Sequence, residues 1–246
     1  MKICTALILA AGRGTRLAGS GEESPKGLVQ VGVESLVSRC IRQLQSRGID
    51  EIVIVTGHQS ERYDEFAAGR GGIRCVFNEN FARLGSLESL RLGLLAAKAP
   101  VLVFDSDVIY ETRGLDALIN EPCENAALVS GPTGSGDEYY VWGDVERRLA
   151  FFSKQLSDHA AAPLGEHVGI VKIGESLRAD LLKQAAGRLD EKPLEPYESL
   201  VVSLLPVHRM TAAYVRDLAW SEIDTAEMLD TARNVIWPKL MALGDL

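Results

Sequence analysis

The run Leu9-Ala10-Ala11-Gly12-Arg13-Gly14-Thr15-Arg16-Leu17, followed by Pro25-Lys26-Gly27, places two glycines and three cations directly after an apolar, β-branched stretch, Ile3 to Leu9. Glycines at 12 and 14 open backbone conformations denied to other residues and let N–H groups approach an anion. Arg13, Arg16 and Lys26 supply positive charge. At the carboxyl end of a buried strand, such a loop is suited to hold a polyphosphate. Two common phosphate loops do not fit: this loop lacks the Gly-Lys-Ser/Thr that ends the Walker pattern, and Leu17 stands where the dinucleotide fingerprint needs a third glycine.

Asp105-Ser106-Asp107 follows directly on the apolar Val101-Leu102-Val103-Phe104. Two carboxylates at the end of a buried strand are costly unless a cation or a hydrogen-bond network compensates them. A hard divalent ion such as Mg²⁺ is well matched, because it takes one or two carboxylates and completes its shell with phosphate oxygens and water. For Asp105 two roles stay open, capping the turn or taking part directly. In Trp220-Ser221-Glu222-Ile223-Asp224-Thr225, the Asp-Thr pair also makes a good helix N-cap. Asn78-Glu79-Asn80-Phe81, then Leu84-Gly85-Ser86, offers a glycine for close backbone approach and a serine able to start a helix. His58, His159, His167 and His208 are scattered and read as structural or surface residues.

Together these runs resemble the signature of the nucleotidyltransferases that join a nucleoside triphosphate to a phosphorylated metabolite. These are the sugar-phosphate nucleotidyltransferases and their phosphocholine and 2-aminoethylphosphonate cytidylyltransferase relatives. The resemblance spans the chain in order, its N-terminal run being the specific part. It implies that Leu9, Ala10, Ala11, Gly12, Arg13, Gly14 and Thr15 wrap the triphosphate and base, that Arg16 faces the departing phosphates, and that Lys26 contacts the reacting phosphate. Gly85 and Ser86 would stand beside base and ribose, with Asp105 counted among the nucleotide-binding residues. Relatives acting on choline-like substrates more often carry Asn-Asn at that position. The resemblance further implies Mg²⁺ held by Asp107, which precedes Val108 as the family's metal-binding aspartate precedes Val or Asn, and by Asp224 of the Trp-x-Glu-Ile-Asp-Thr element. Asp137-Glu138-Tyr139, Pro196-Tyr197-Glu198 and Glu222 match the choline and aminoethylphosphonate branch, so Tyr139, Glu198 and Glu222 are expected to bind the acceptor.

The expected reaction is transfer of a nucleoside monophosphate, CMP from CTP, to a small phosphate or phosphonate acceptor with release of pyrophosphate. An acceptor phosphate is already ionised at neutral pH, so positioning and charge neutralisation suffice and no Ser/His/Asp set is required. Two rival enzymes stay in view. One is a sugar-1-phosphate nucleotidyltransferase; the other is an Asp-x-Asp glycosyltransferase, which Arg16 and Lys26 disfavour because a nucleoside diphosphate-sugar has no departing pyrophosphate to neutralise. A nucleotide sensor without activity would have no use for the full set Arg16, Lys26, Asp107 and Asp224.

The elements that must position these residues alternate through the first half. Strands are expected at Lys2 to Leu9, Glu51 to Thr56, Ile73 to Phe77 and Val101 to Phe104, with helices near Glu34 to Arg47, Gln59 to Ala68 and Ser86 to Ala97. This order predicts a Rossmann-like, mostly parallel mixed sheet with helices on both faces, of the nucleotide-diphospho-sugar transferase type. After Asp107 the pattern shifts to short strands (126–130, 139–142, 149–152, 168–173) without regular crossover helices, read as an antiparallel lid extension. Helices at 176–186 and 197–205, a strand at 210–215 and a helix from Thr225 towards Leu240 complete the chain.

The 246 residues, 46% of them hydrophobic, suit a single nucleotidyltransferase domain, with residues 1–110 the nucleotide-binding half and 111–246 the acceptor half and lid. A net charge of −8 leaves no broad basic surface for nucleic acid or an acidic membrane. Cys4, Cys40, Cys75 and Cys123 are too far apart for a zinc motif or a disulfide framework. The N-terminal apolar run is short, carries one lysine and ends in the phosphate loop, so it is not expected to be a signal peptide. No stretch approaches the ~20 apolar residues of a membrane helix. A cytoplasmic protein is expected, and homodimerisation stays open.

Overall fold

A computed structural model describes residues 3–17, 24–134, 136 and 138–245. Lys2, expected to begin the first strand, and Asp137 lie outside them. The parallel core is made by β1 (Thr5–Ala10), β4 (Glu51–Thr56), β5 (Ile73–Phe77) and β6 (Val101–Asp105), in the spatial order β6-β1-β4-β5. All six residues of β1 are buried, as expected for a strand covered on both faces. The pleat sorts its side chains. Leu7 and Leu9 pack with Val53, Val55, Val101 and Val103 against α3 (Ser86–Ala96), α5 (Glu175–Glu191) and α6 (Tyr197–Leu204). Ala6, Ile8 and Ala10 join Ile52, Ile54, Leu102 and Phe104 on the opposite face, with α1 (Leu36–Gln45), α2 (Ser60–Ala67) and α4 (Thr112–Asn120). On α1 the residues Leu36, Val37, Cys40, Ile41 and Leu44 turn inward together, and Ser35 accepts a hydrogen bond from the Ser38 N–H at 3.3 Å as its N-cap.

The second half extends this same sheet. Strand β11 (Gly165–Ile173) runs antiparallel to β6 and, on its other edge, to β8 (Ala126–Ser130), which in turn pairs in parallel with β12 (Thr211–Val215). The antiparallel extension is the hairpin of β9 (Tyr140–Gly143) and β10 (Leu149–Ser153), attached where β9 meets Gly165 and Glu166. The absence of crossover helices is corrected: α4 links β7 (Val108–Tyr110) to β8. It begins Thr112-Arg113-Gly114, a weak local start, and its glycine is explained by packing, since a Cβ there would lie 2.9 Å from Leu128.

Two small ladders finish the frame. One pairs β2 (Gln30–Val31) with β3 (Glu34–Ser35); the other pairs β7 with β13 (Trp220–Glu222). The last helix, expected to be continuous, is α7 (Ala226–Thr231), a π-helical turn at Ala232–Ile236, and α8 (Trp237–Ala242). These helices pack Leu229, Ala232, Ile236 and Leu240 on Val29, Val31 and Ile109. No helix among the described residues is long and apolar enough to cross a membrane.

Candidate active site

Register places the chemistry at one end of the parallel core. Leu9 is opposite both Val55 and Asp105, so the glycine loop after β1, Gly57 after β4 and the Asp105–Asp107 turn after β6 emerge together. The Ser106 N–H donates to the Leu9 carbonyl at 3.3 Å and fixes that turn against the loop. Gly14 adopts φ +60°, a left-handed conformation that favours glycine, and the Leu17 N–H closes the turn on its carbonyl at 3.0 Å. Gly27 serves contact: a Cβ would stand 2.7 Å from Val37 and 2.8 Å from the Tyr63 hydroxyl oxygen.

Asp107 and Asp224, 117 positions apart in the chain, are brought together by the β7–β13 ladder. Glu222 pairs with Val108, and the Ile223 N–H donates to the Asp107 carbonyl at 2.9 Å. Thr225 accepts from the Met228 N–H at 3.3 Å and caps α7, so threonine caps while the preceding aspartate is left for the site. Lys26 Nζ donates to Asp107 Oδ2 at 3.0 Å and also pairs with Asp224 Oδ1, while Arg16 Nη2 pairs with Asp224 Oδ2. Two cations of the loop therefore meet the two proposed metal ligands. Glu222 joins them: one carboxylate oxygen from each of Asp107, Glu222 and Asp224 lies within 4.8 Å of the others. Oxygens sharing one Mg²⁺ at ~2.1 Å are at most ~4.2 Å apart, so small side-chain rotations would bring this set to that spacing.

Two cavities meet at this cluster. The first, about 300 Å³, is lined by Leu9, Ala10, Ala11, Gly12, Gly14, Lys26, Gly85, Ser86 and Asp105, most of the residues expected around the nucleotide. Arg13 instead lines an adjoining depression with Lys26, His58 and Arg62, while Thr15 is exposed on the turn. Gly85 has a packing reason of its own, because a Cβ would lie 2.4 Å from the Glu195 carbonyl oxygen. Its N–H donates to the Pro193 carbonyl at 2.7 Å, and Ser86 Oγ accepts from the Tyr197 N–H at 3.1 Å. The start of α6 is thereby docked on the start of α3.

The second cavity, about 740 Å³, contains Tyr139, Glu198 and Glu222, and shares Ser86, Asp105, Glu198 and Glu222 with the first. Glu138 and Glu227 add carboxylates to its wall against Lys154 and Lys239. Burial pushes the Glu198 carboxyl up to about 7. Burial, then the charge of Glu198, pushes Asp105 well above the usual carboxylate range, and the Tyr197 hydroxyl donates to Asp105 Oδ2 at 3.5 Å. Burial likewise raises the Tyr139 hydroxyl to about 12. His167, read among scattered histidines, is buried, lines this cavity and stacks on Phe152. Trp220 lines it too. Sequence spacing carried no sign of either role beyond the tryptophan's place in its motif.

Residues 6–186 match the model of the MobA-like NTP transferase domain. Among curated proteins the chain is 28% identical over 232 residues to the CMP-5'-(3-aminopropyl)phosphonate synthase of Streptomyces rubellomurinus, covering 89% of this chain and 36% of that one. It is 41% identical over 87 residues to the choline-phosphate cytidylyltransferase of Streptococcus pneumoniae, 35% of this chain and 38% of that one. In both, the match spans little more than a third of the relative's own length. The solved structure of a CTP:phosphocholine cytidylyltransferase from Streptococcus pneumoniae superposes with a TM-score of 0.78 at 20% identity, over 99% of each chain, and shows the same fold.

Proposed function

Because the chain belongs to the MobA-like NTP transferase domain family, we propose that it transfers CMP from CTP to a small amine-bearing phosphate or phosphonate and releases pyrophosphate. The observation that carries this reading is the junction of the two cavities: the glycine loop and Lys26 on one side, an acidic wall on the other, and Glu222, which lines both, clustered with Asp107 and Asp224. An acceptor oxygen attacks the α-phosphorus, the bond from that phosphorus to the bridging oxygen breaks, and pyrophosphate departs with the electron pair. Lys26 and Arg16 meet the charge that develops on these oxygens, in a site partly shielded from water where such contacts are strongest. Asp107, Asp224 and Glu222 would hold Mg²⁺, which supplies charge neutralisation and a template for the phosphates. In the second cavity Glu138, Glu222 and Glu227 face two lysines, and the Glu198 carboxyl would ionise readily beside a bound cation, which favours a cationic acceptor over a neutral sugar. The similarity to a CMP-5'-(3-aminopropyl)phosphonate synthase and to a choline-phosphate cytidylyltransferase supports the same reading.

The test is pyrophosphate release across the four ribonucleoside triphosphates, each with sugar phosphates, phosphocholine and aminoalkyl phosphonates. Expected is turnover with CTP and an amine-bearing acceptor, dependent on Mg²⁺. Efficient use of a hexose 1-phosphate with no use of any amine would assign the chain to sugar nucleotide synthesis instead.

A further inference from the structure

Three buried polar atoms with no hydrogen-bond partner among the described residues belong to side chains lining the second cavity: His167 Nε2, Glu198 Oε2 and Trp220 Nε1. Such atoms are uncommon in folded proteins and call for an explanation. The imidazole's tautomer follows from its other nitrogen. His167 Nδ1 lies 3.3 Å from the Leu128 carbonyl oxygen, which can only accept, so Nδ1 carries the proton and Nε2 presents a lone pair. Burial holds the ring's pKa down at about 4, which keeps that lone pair available at neutral pH. His167 Nε2 is therefore an acceptor that requires an N–H or O–H donor, and Glu198 Oε2 becomes one when a cation beside it draws off the carboxyl proton.

We propose that this cavity selects an acceptor carrying a primary ammonium over one carrying a quaternary ammonium, with His167 and Glu198 receiving the ammonium's hydrogens. A primary ammonium offers three N–H donors. A trimethylammonium offers none, and would leave both acceptors buried and unpaired. Of the aromatic rings lining the cavity, that of Tyr139 is already approached by a cation, since Lys154 Nζ lies 5.9 Å from its centroid. Trp220 Nε1, a donor, is available for an oxygen of the same molecule. This inference rests on the proposed amine acceptor and narrows its class.

The native chain is assayed with CTP and phosphoethanolamine, then its N-methyl and N,N-dimethyl derivatives, then phosphocholine. The expected result is a stepwise fall in kcat/KM, ~10-fold or more from first to last, as expected when hydrogen bonds to buried acceptors are lost, carried chiefly by KM. His167→Phe, which retains a ring against Phe152, should narrow the difference between the two ends of the series by weakening the primary amine alone, with the KM for CTP unmoved. A flat series, or one rising towards phosphocholine, overturns the inference and leaves the amine-acceptor reading standing. No turnover of any member, nor of an aminoalkyl phosphonate, overturns both. Equal losses across the series in His167→Phe would reduce His167 to a structural role and overturn its part; if that variant does not fold, the native series decides.

Discussion

Lys26 is the residue on which the site's electrostatics turn, because its ammonium is shared between Asp107 and Asp224 while it also lines the first cavity. A cation in this position acts mainly on charge that develops during transfer. Lys26→Ala is therefore expected to lower kcat ~10²-fold or more with a small change in the KM for CTP, measured by steady-state pyrophosphate release. Unchanged turnover would remove Lys26 from the reacting centre. Asp224 is a less clean probe. It is buried and balances both Lys26 and Arg16, so its loss would leave two cations without their shared partner as well as removing a proposed metal ligand.

At the scale of elements, α6 reaches the site through α3. The Ser86 hydroxyl accepts the Tyr197 N–H, and the adjoining Gly85 packs directly on the backbone of Leu194 and Glu195. This joint sets where Tyr197 and Glu198 stand relative to Asp105. Ser86→Ala is expected to cost about 1 kcal/mol of stability, the ordinary value of one hydrogen bond. It should also raise the KM of the acceptor several-fold, because Glu198 loses its anchor. Urea unfolding and steady-state kinetics measure the two effects. A rise confined to the KM of CTP would instead assign the hydroxyl to the nucleotide.

For the whole molecule, two buried groups drive stability in opposite directions with pH. His167 has its folded pKa depressed from 6.5 to about 4, so its contribution is present above pH 6.5 and is lost as pH falls towards 4. Glu198 has its folded pKa raised from 4.5 to about 7 by burial, so its contribution is full below pH 4.5 and is lost as pH rises to about 7. Each is worth on the order of 3 kcal/mol at its limit. Relative to the native chain, His167→Phe should lose the destabilisation on going from pH 6.5 to 4. Glu198→Gln should lose the destabilisation on going from pH 4.5 to 7. Chemical denaturation at a series of pH values checks both, and parallel curves for variant and native chain would contradict the buried environments described for these groups.

Short-range patterns in the chain already carried the glycine loop and the alternation of the first half, through β-branched runs for buried strands and apolar spacing for α1; the proposed metal pair came from the resemblance of the Asp107-Val108 and Trp220–Thr225 elements to a family's motifs. Helix α4 escaped because its start is poor by propensity and its Gly114 is chosen for contact with Leu128 and Leu218, far away in the chain. The three-residue ladder of β7 with β13 is too short to show a period, yet with the Ile223 N–H bond to the Asp107 carbonyl it brings Glu222 and Asp224 beside Asp107. His167 is the clearest case. Nothing in its flanking residues distinguishes it from the other histidines, and its place in the second cavity follows from the register of β11 on β8, which sets it opposite Val129, and from the packing of Phe152 over its ring. Which polar atoms are left unpaired in a cavity depends on every element that closes it, so that property arises only when the chain is folded.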